Sequence, residues 1–248
     1  MRRCVVVTGG SGGIGRAIVS RFAALGDDVV AVARDPDALA ALAAEHHDAV
    51  RGVACDLTDE PAVVELMRDL APVDVLVNSA GVSDSAPLHR TTLESWNAQM
   101  AVNATAAFLC IREVIDGMRE RDTGRIVTVA STGGRVGVPY ASAYSASKHA
   151  AIGLTRSAAA ELAGTHVTVN AVCPAFVDSE MTQTSAARIA ERTGRTLPES
   201  LDALARLSPL GRLIDPDEVA EAVVWLASPG AEAINGQTIV LDGGGIQV

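Results

Sequence analysis

Short β-branched runs alternate along this chain with longer stretches in which apolar residues return every three or four positions. The runs at residues 4–8, 28–33, 49–54, 73–77, 125–130, 165–173 and 237–241 predict seven strands. Most are apolar throughout, the pattern of strands covered on both faces of a parallel sheet. Helical periodicity predicts helices over 16–25, 37–45, 60–70, 92–118, 144–162 and 217–227. In the first of these, Ile18, Phe22 and Leu25 share a face and Gly26 is the stop. Strand and helix follow one another with no linker or repeat between them. The expected fold is therefore α/β: a Rossmann-type, doubly wound, seven-stranded parallel sheet in three α/β/α layers, as one domain over 1–248. Residues 178–208 break the pattern, being rich in Thr, Ser, Arg and Gly with helical periodicity lost around Gly194 and Pro198. That segment is expected to be a flap over one end of the sheet.

Composition narrows this picture. Hydrophobic residues make up 48% of the chain and aromatics only 3%, so the core is expected to be built from Ala, Val, Leu and Ile. A net charge of −10 argues against nucleic acid or acidic membranes as partners. Cys4, Cys55, Cys110 and Cys173 are widely spread without a C-x-x-C spacing and read as thiols in a reducing compartment. No His, Cys and carboxylate spacing suggests a metal. Met1-Arg2-Arg3 and the apolar run after it mimic the start of a signal peptide, but the run is too short. No apolar stretch is expected to reach the ~20 residues that span a bilayer. A soluble, cytoplasmic protein is the expectation.

The first candidate chemistry lies between strand one and helix one, in Thr8-Gly9-Gly10-Ser11-Gly12-Gly13-Ile14-Gly15. Gly9 permits a tight turn, Gly13 lets backbone N–H groups approach a pyrophosphate, and Gly15 lets the helix sit close to the strand. The helix N-terminus then faces the phosphates with its partial positive charge. At the tip of strand two stand neutral Ala33 and cationic Arg34. Asp35, 20 residues beyond Gly15, precedes Pro36 and reads as the cap of the next helix rather than as an acid gripping a ribose. Arg34 can pair with a 2′-phosphate, which favours NADP(H) over NAD(H); a solvated surface charge is its other reading. Asp56, past strand three, can accept from an adenine amino group or cap a turn. Strand four ends in Asn78-Ser79-Ala80-Gly81, small enough for close approach to a nucleotide.

A second candidate site is Tyr144 with Lys148, four residues apart and so on one helix face. A phenol titrates near pKa ~10, and an adjacent ammonium is expected to lower that value. Ser131, at the end of strand five, can meet the phenol across a cleft. Asn103 sits within the helix at 92–118, where Asn is unfavourable; a kink that exposes a carbonyl to a water beside Lys148 is one reading, a satisfied Asn the other. Arg188, Arg192, Arg195, Arg206 and Arg212 read as a solvated face partly paired with Glu191 and Asp202. His149 reads as structural.

These motifs, with Pro174, resemble the short-chain dehydrogenase/reductase family in order and spacing over nearly the whole chain. The resemblance implies a tetrad of Asn103, Ser131, Tyr144 and Lys148. It implies cofactor contacts from Thr8, Gly9, Ser11, Gly12, Gly13, Ile14, Gly15, Arg34, Asp56, Leu57, Asn78, Ala80, Gly81, Tyr144, Lys148, Pro174, Val177 and Ser179. It also implies a homotetramer, joined through the Tyr/Lys helix with the long helix before it and through the last strand. The chain departs from the family at Ser79, where a second Asn is common, at Ala175, where Gly is usual, and at Ser179, where Thr is common. The runs Ala130-Ser-Thr-Gly-Gly134, Tyr144-Ser-Ala-Ser-Lys-His149 and Ser208-Pro-Leu-Gly-Arg212 are similar to those of bacterial polyketide ketoreductases and 3-oxoacyl-thioester reductases. The implied reaction is NADPH-dependent reduction of a ketone, with CoA and carrier-protein thioesters among the candidate substrates. NAD-dependent oxidation of a secondary alcohol is the alternative, and a non-catalytic nucleotide-binding protein a further one.

Overall fold

The computed structural model describes residues 2–247. Seven parallel strands form one sheet in the order β3-β2-β1-β4-β5-β6-β7. The strands are β1 (Cys4–Thr8), β2 (Asp28–Ala33), β3 (Val50–Ala54), β4 (Val75–Asn78), β5 (Gly124–Val129), β6 (Val167–Pro174) and β7 (Thr238–Leu241). After β3 the chain crosses back to lay β4 against the other side of β1, and helices that leave these two strands diverge to opposite faces. Ligands of open α/β sheets bind outside the strand ends at such a switch point.

Both faces are buried, as the continuous apolar runs predict. Val5, Val7, Val29, Ala31, Val75 and Val77 pack under α1 (Gly13–Ala24), α2 (Pro36–His46) and α9 (Pro216–Leu226). The alternate positions Val6, Val30, Val32, Leu76 and Ile126 pack under α3 (Glu60–Leu70), α5 (Ala106–Glu120) and α6 (Ser142–Glu161). The cysteines are free thiols, and burial pushes Cys110 up to about 12.

Four departures from the pattern reading are informative. The helix expected over 92–118 is two helices, α4 (Leu93–Met100) and α5, joined by a π-helical turn at Ala101–Thr105. By length and composition the run Leu93–Glu120 is apolar enough to cross a membrane, contrary to expectation; half of that window is buried in the protein, as in a core helix. The flap is a helical hairpin, α7 (Glu180–Thr193) and α8 (Leu197–Ala205). Gly194, at φ 72°, ends α7 in the left-handed conformation, and a Thr196/Glu199 capping box starts α8, so the apparent break is a pair of helix ends. Leu25, expected on the buried face of the first helix, lies at its C-terminus and is 55% exposed. Asp35 caps α2 as expected, accepting from the Asp37 and Ala38 amides.

Two glycine substitutions separate packing from conformational freedom. A Cβ at Gly15 would lie 2.0 Å from the Gly9 carbonyl oxygen, a backbone atom that cannot swing aside. Gly15→Ala is expected to lower urea stability by about 2 kcal/mol or more. Gly153→Ala, at an exposed position of α6 with nothing within 4 Å of the added carbon, is expected to raise it by roughly 0.5–1 kcal/mol.

Candidate active site

Two clefts of about 240 and 140 Å³ open at the C-terminal ends of the strands, and Gly81 lines both. The first receives Gly9, Ser11, Arg34, Asp56, Leu57 and Ala80. The second receives Ile14, Ser131, Tyr144, Lys148, Pro174, Val177 and Ser179. Fourteen of the expected site residues, Gly81 included, thus border two clefts that share Gly81.

In the first cleft the backbone does most of the shaping. Gly9 turns the chain at φ +66°, and a side chain on it would strike the Ala80 backbone at 2.8 Å. Gly12 is the N-cap of α1 and offers no side-chain acceptor, so the first-turn N–H groups have no protein cap. Gly13 and Gly15 do not line the cleft: Gly13 lies against Ser179, and Gly15 lets α1 approach the turn. Arg34 is exposed, and it makes no ion pair among the described residues. Asp56 accepts from the Thr58 amide at 3.0 Å and its hydroxyl at 2.8 Å, which hold the carboxyl below the usual range. Asp56 is therefore a turn cap at the cleft edge.

Two further expected contacts, Thr8 and Asn78, do not line either cleft. The Thr8 hydroxyl accepts from the Ser79 and Ala80 amides at 3.1 and 3.2 Å, which ties β1 to the loop after β4. It is consumed there, away from the cleft. Asn78 is 4% exposed, sits in register between Thr8 and Thr128, and has no protein partner at either amide atom.

The second cleft is built from side chains. Ser131 follows β5 and caps the short turn Thr132–Gly134, accepting from the Gly133 amide at 3.0 Å. A Cβ at Gly133 would lie 3.5 Å from both the Ser131 Oγ and the Tyr144 ring, so a glycine there leaves room for the two to converge. Lys148, 5% exposed, donates to the Val129 carbonyl at 2.9 Å, with its ammonium 5.9 Å from the Tyr144 ring centre. Burial lowers Lys148 to about 8. Tyr144 goes the other way: burial raises its phenol, against which the Ser131 hydroxyl works. The shift is thus opposite to the acidification expected from Lys148: desolvation of the phenolate is its largest cause, and the ammonium bonds Val129.

Asn103 lies outside both clefts, in the π-helical turn, a feature frequent at functional sites. Its Oδ1 accepts from the Val82 amide at 2.8 Å, and its Nδ2 donates to the Val82 carbonyl and to Ser147 Oγ, both at 2.9 Å. Ser147 in turn donates to the Tyr144 carbonyl at 2.8 Å. It is a residue that sequence reading missed, although it lies on the Tyr/Lys helix. A Cβ on Gly81 would be 3.3 Å from Asn103 Oδ1 and 3.5 Å from Lys148 Nζ. Among the described residues no group of three or more His, Cys, Asp and Glu is placed to hold a metal. His149 bonds the Ser145 carbonyl at 2.8 Å, a helix-internal contact.

The flap arginines pair selectively. Arg206 meets Asp202, one of the two expected acids, whereas Arg188 pairs with Asp84 at 2.7 Å and Arg212 with Glu218. Ala175 lines the second cleft, filling space that a glycine would leave.

A family model described as short chain dehydrogenase matches residues 3–190. The chain belongs to that family. Members bind NAD(P) and act on keto and hydroxyl groups. The chain is 39% identical over 251 residues to an acetoacetyl-CoA reductase of Shinella zoogloeoides, covering 98% of each protein. It is 37% identical over 249 residues to a D-threitol dehydrogenase of Mycolicibacterium smegmatis, covering 98% of this chain and 92% of that one. Among solved structures it superposes on a variant of actinorhodin polyketide ketoreductase with NADPH, at a TM-score of 0.94 and 36% identity, covering 98% of this chain and 97% of that one. This short-chain dehydrogenase is therefore an oxidoreductase that acts on keto or hydroxyl groups.

The lysine burial makes a pH-dependent prediction. A lysine whose folded pKa lies below its unfolded value loses its proton first in the folded state, so stability should rise with pH between about 8 and 10.5. Lys148→Met is expected to unfold at higher urea than wild type at pH ~7, by up to about 3 kcal/mol, with the gain shrinking as the pH passes 8 towards 10.5.

Proposed function

We propose that this enzyme reduces a ketone to a secondary alcohol with NADPH, using Ser131, Tyr144 and Lys148 in the second cleft. The observation that carries the reading is the pair of clefts that share Gly81, with Arg34 lining one and Ser131 and Tyr144 lining the other. The chain's residues fit a dinucleotide. The turn at Gly9 admits close approach, the α1 N-terminus lacks a protein cap, and Arg34 stands free of ion pairs among the described residues beside neutral Ala33. Arg34 would hold the 2′-phosphate, Ser11 and the first-turn amides of α1 the pyrophosphate, and Lys148 the nicotinamide ribose. When bound, the nicotinamide supplies a hydride to the carbonyl carbon.

The protein then handles charge and protons. Ser131 donates to the carbonyl oxygen and stabilises the negative charge that develops there. Tyr144, protonated at neutral pH because burial raises its pKa, gives its proton to the same oxygen. Lys148 lies on the Tyr144 face of α6, and with its pKa near 8 it can exchange a proton close to neutrality. Asn103 Oδ1 and Lys148 Nζ both flank Gly81, and the Asn103 backbone carbonyl, in the π-helical turn, would hold a relaying water. A cytoplasmic homotetramer is the assembly and compartment proposed.

The second reading, NAD-dependent oxidation of an alcohol, draws support from the D-threitol dehydrogenase relative. Cofactor measurements separate the two. Arg34→Ala is expected to weaken NADPH binding by roughly tenfold or more while leaving NADH binding nearly unchanged; equal losses would remove the 2′-phosphate role. Tyr144→Phe is expected to lower ketone turnover by roughly 10²–10⁴-fold with NADPH affinity retained. Full activity in that variant would refute the proton-donor assignment.

A further inference from the structure

Helix α4 presents Ser95, Gln99 and, across the π-helical turn, Asn103 at successive four-residue steps. Each grips the loop after β4. Asn103 holds both backbone groups of Val82, Gln99 Oε1 accepts from the Asp84 amide at 3.1 Å, and Ser95 Oγ donates to Asp84 Oδ2 at 3.1 Å. Gln99 is 2% exposed, and its Nε2 donates to Ser95 Oγ at 3.3 Å. A buried amide is costly unless both ends are bonded, and here both are. The stripe therefore fixes the direction of the Asp84 carboxylate.

That carboxylate reaches the flap. Its Oδ1 accepts from Arg188 Nη1 at 2.7 Å, and Arg192, one turn further on α7, donates to the Ser85 carbonyl at 3.4 Å. Ser83, next to Asp84, lines the second cleft from one wall, and Ser185, one turn before Arg188, lines it from the flap. The pair lies beside these two lining residues and joins parts of the chain 104 positions apart.

We propose that the Asp84–Arg188 pair, aimed by Gln99 and Ser95, holds α7 over the substrate cleft and thereby sets affinity for the substrate. Gln99 is then a positioning residue: it acts through Asp84. The effect on KM rests on the ketone-reduction reading, while the effect on α7 does not. The pair is partly exposed, with side chains 49% and 38% accessible, so a modest effect is expected.

Hydrogen exchange of residues 180–193 and steady-state kinetics with NADPH and a ketone test this on Asp84→Asn, Arg188→Gln, their double variant and Gln99→Met. Each single variant is expected to speed exchange in α7 and raise ketone KM roughly two- to fivefold, with kcat within about twofold. The double variant should match the larger single effect, because the same contact is lost only once. Salt at about 1 M should move wild type towards the double variant and leave the double variant unchanged. Additive effects in the double variant, or unchanged α7 exchange in both charge variants, would overturn the proposal. Exchange is read without turnover, so a wild-type enzyme inactive on ketones would remove the reductase reading and leave the exchange test intact. Arg188→Gln alters only a partly exposed flap side chain, and it keeps the test open if a loop variant folds poorly.

Discussion

A lysine ammonium sealed beneath a glycine constrains more of this molecule than any other contact. Lys148 donates to the last carbonyl of β5, and a Cβ on Gly81 would press on Asn103 Oδ1 at 3.3 Å and meet the ammonium at 3.5 Å. Burial disfavours the charge, as its pKa near 8 shows. The hydrogen bond to Val129 offsets part of that cost. Four separate elements are thereby brought to one point: the end of β5, the loop after β4, the π-helical turn and α6. Ser147 closes the set by bonding Asn103 on one side and the Tyr144 carbonyl on the other.

The two clefts are made by different means. At the dinucleotide end, shape comes from backbone: the positive φ of Gly9, the near contact of Gly15 with the Gly9 carbonyl, and an α1 N-terminus without a side-chain cap. Such a surface suits a ligand recognised by phosphates and is indifferent to small side-chain changes nearby. At the reacting end, hydroxyl, phenol and ammonium groups each need a defined direction. Their supports are accordingly side-chain bonds, from Gly133 to Ser131 and from Lys148 to Val129.

The strands could be read from the chain because both faces of the sheet are covered, so that each appears as an uninterrupted apolar run. Helix breaks were harder to see. Nothing in the apolar spacing of 92–118 distinguishes a π-helical turn from an unbroken helix, since one extra residue in a turn shifts the periodicity only slightly. The flap misled for the opposite reason: Gly194 and Pro198 look like loop residues, yet they serve as a helix C-terminus and the first turn of the next helix. At the site, the glycines, Arg34, Ser131, Tyr144 and Lys148 carry their chemistry in their residue type. Thr8 does not, because whether a buried hydroxyl faces a ligand or the protein depends on register across the sheet. The direction of the Tyr144 shift was equally hidden, as it depends on how far each group is removed from water.

The helical hairpin at the second cleft carries its own punctuation. Its two helices begin on Ser179 and Thr196, the first ends on Gly194, and the capping box is completed within the hairpin itself. It therefore needs little from the sheet to keep its secondary structure, and Ser131, Tyr144 and Lys148 lie elsewhere in the chain. A descendant of this enzyme could exchange the residues of that hairpin and acquire a different carbonyl compound while inheriting its chemistry unchanged.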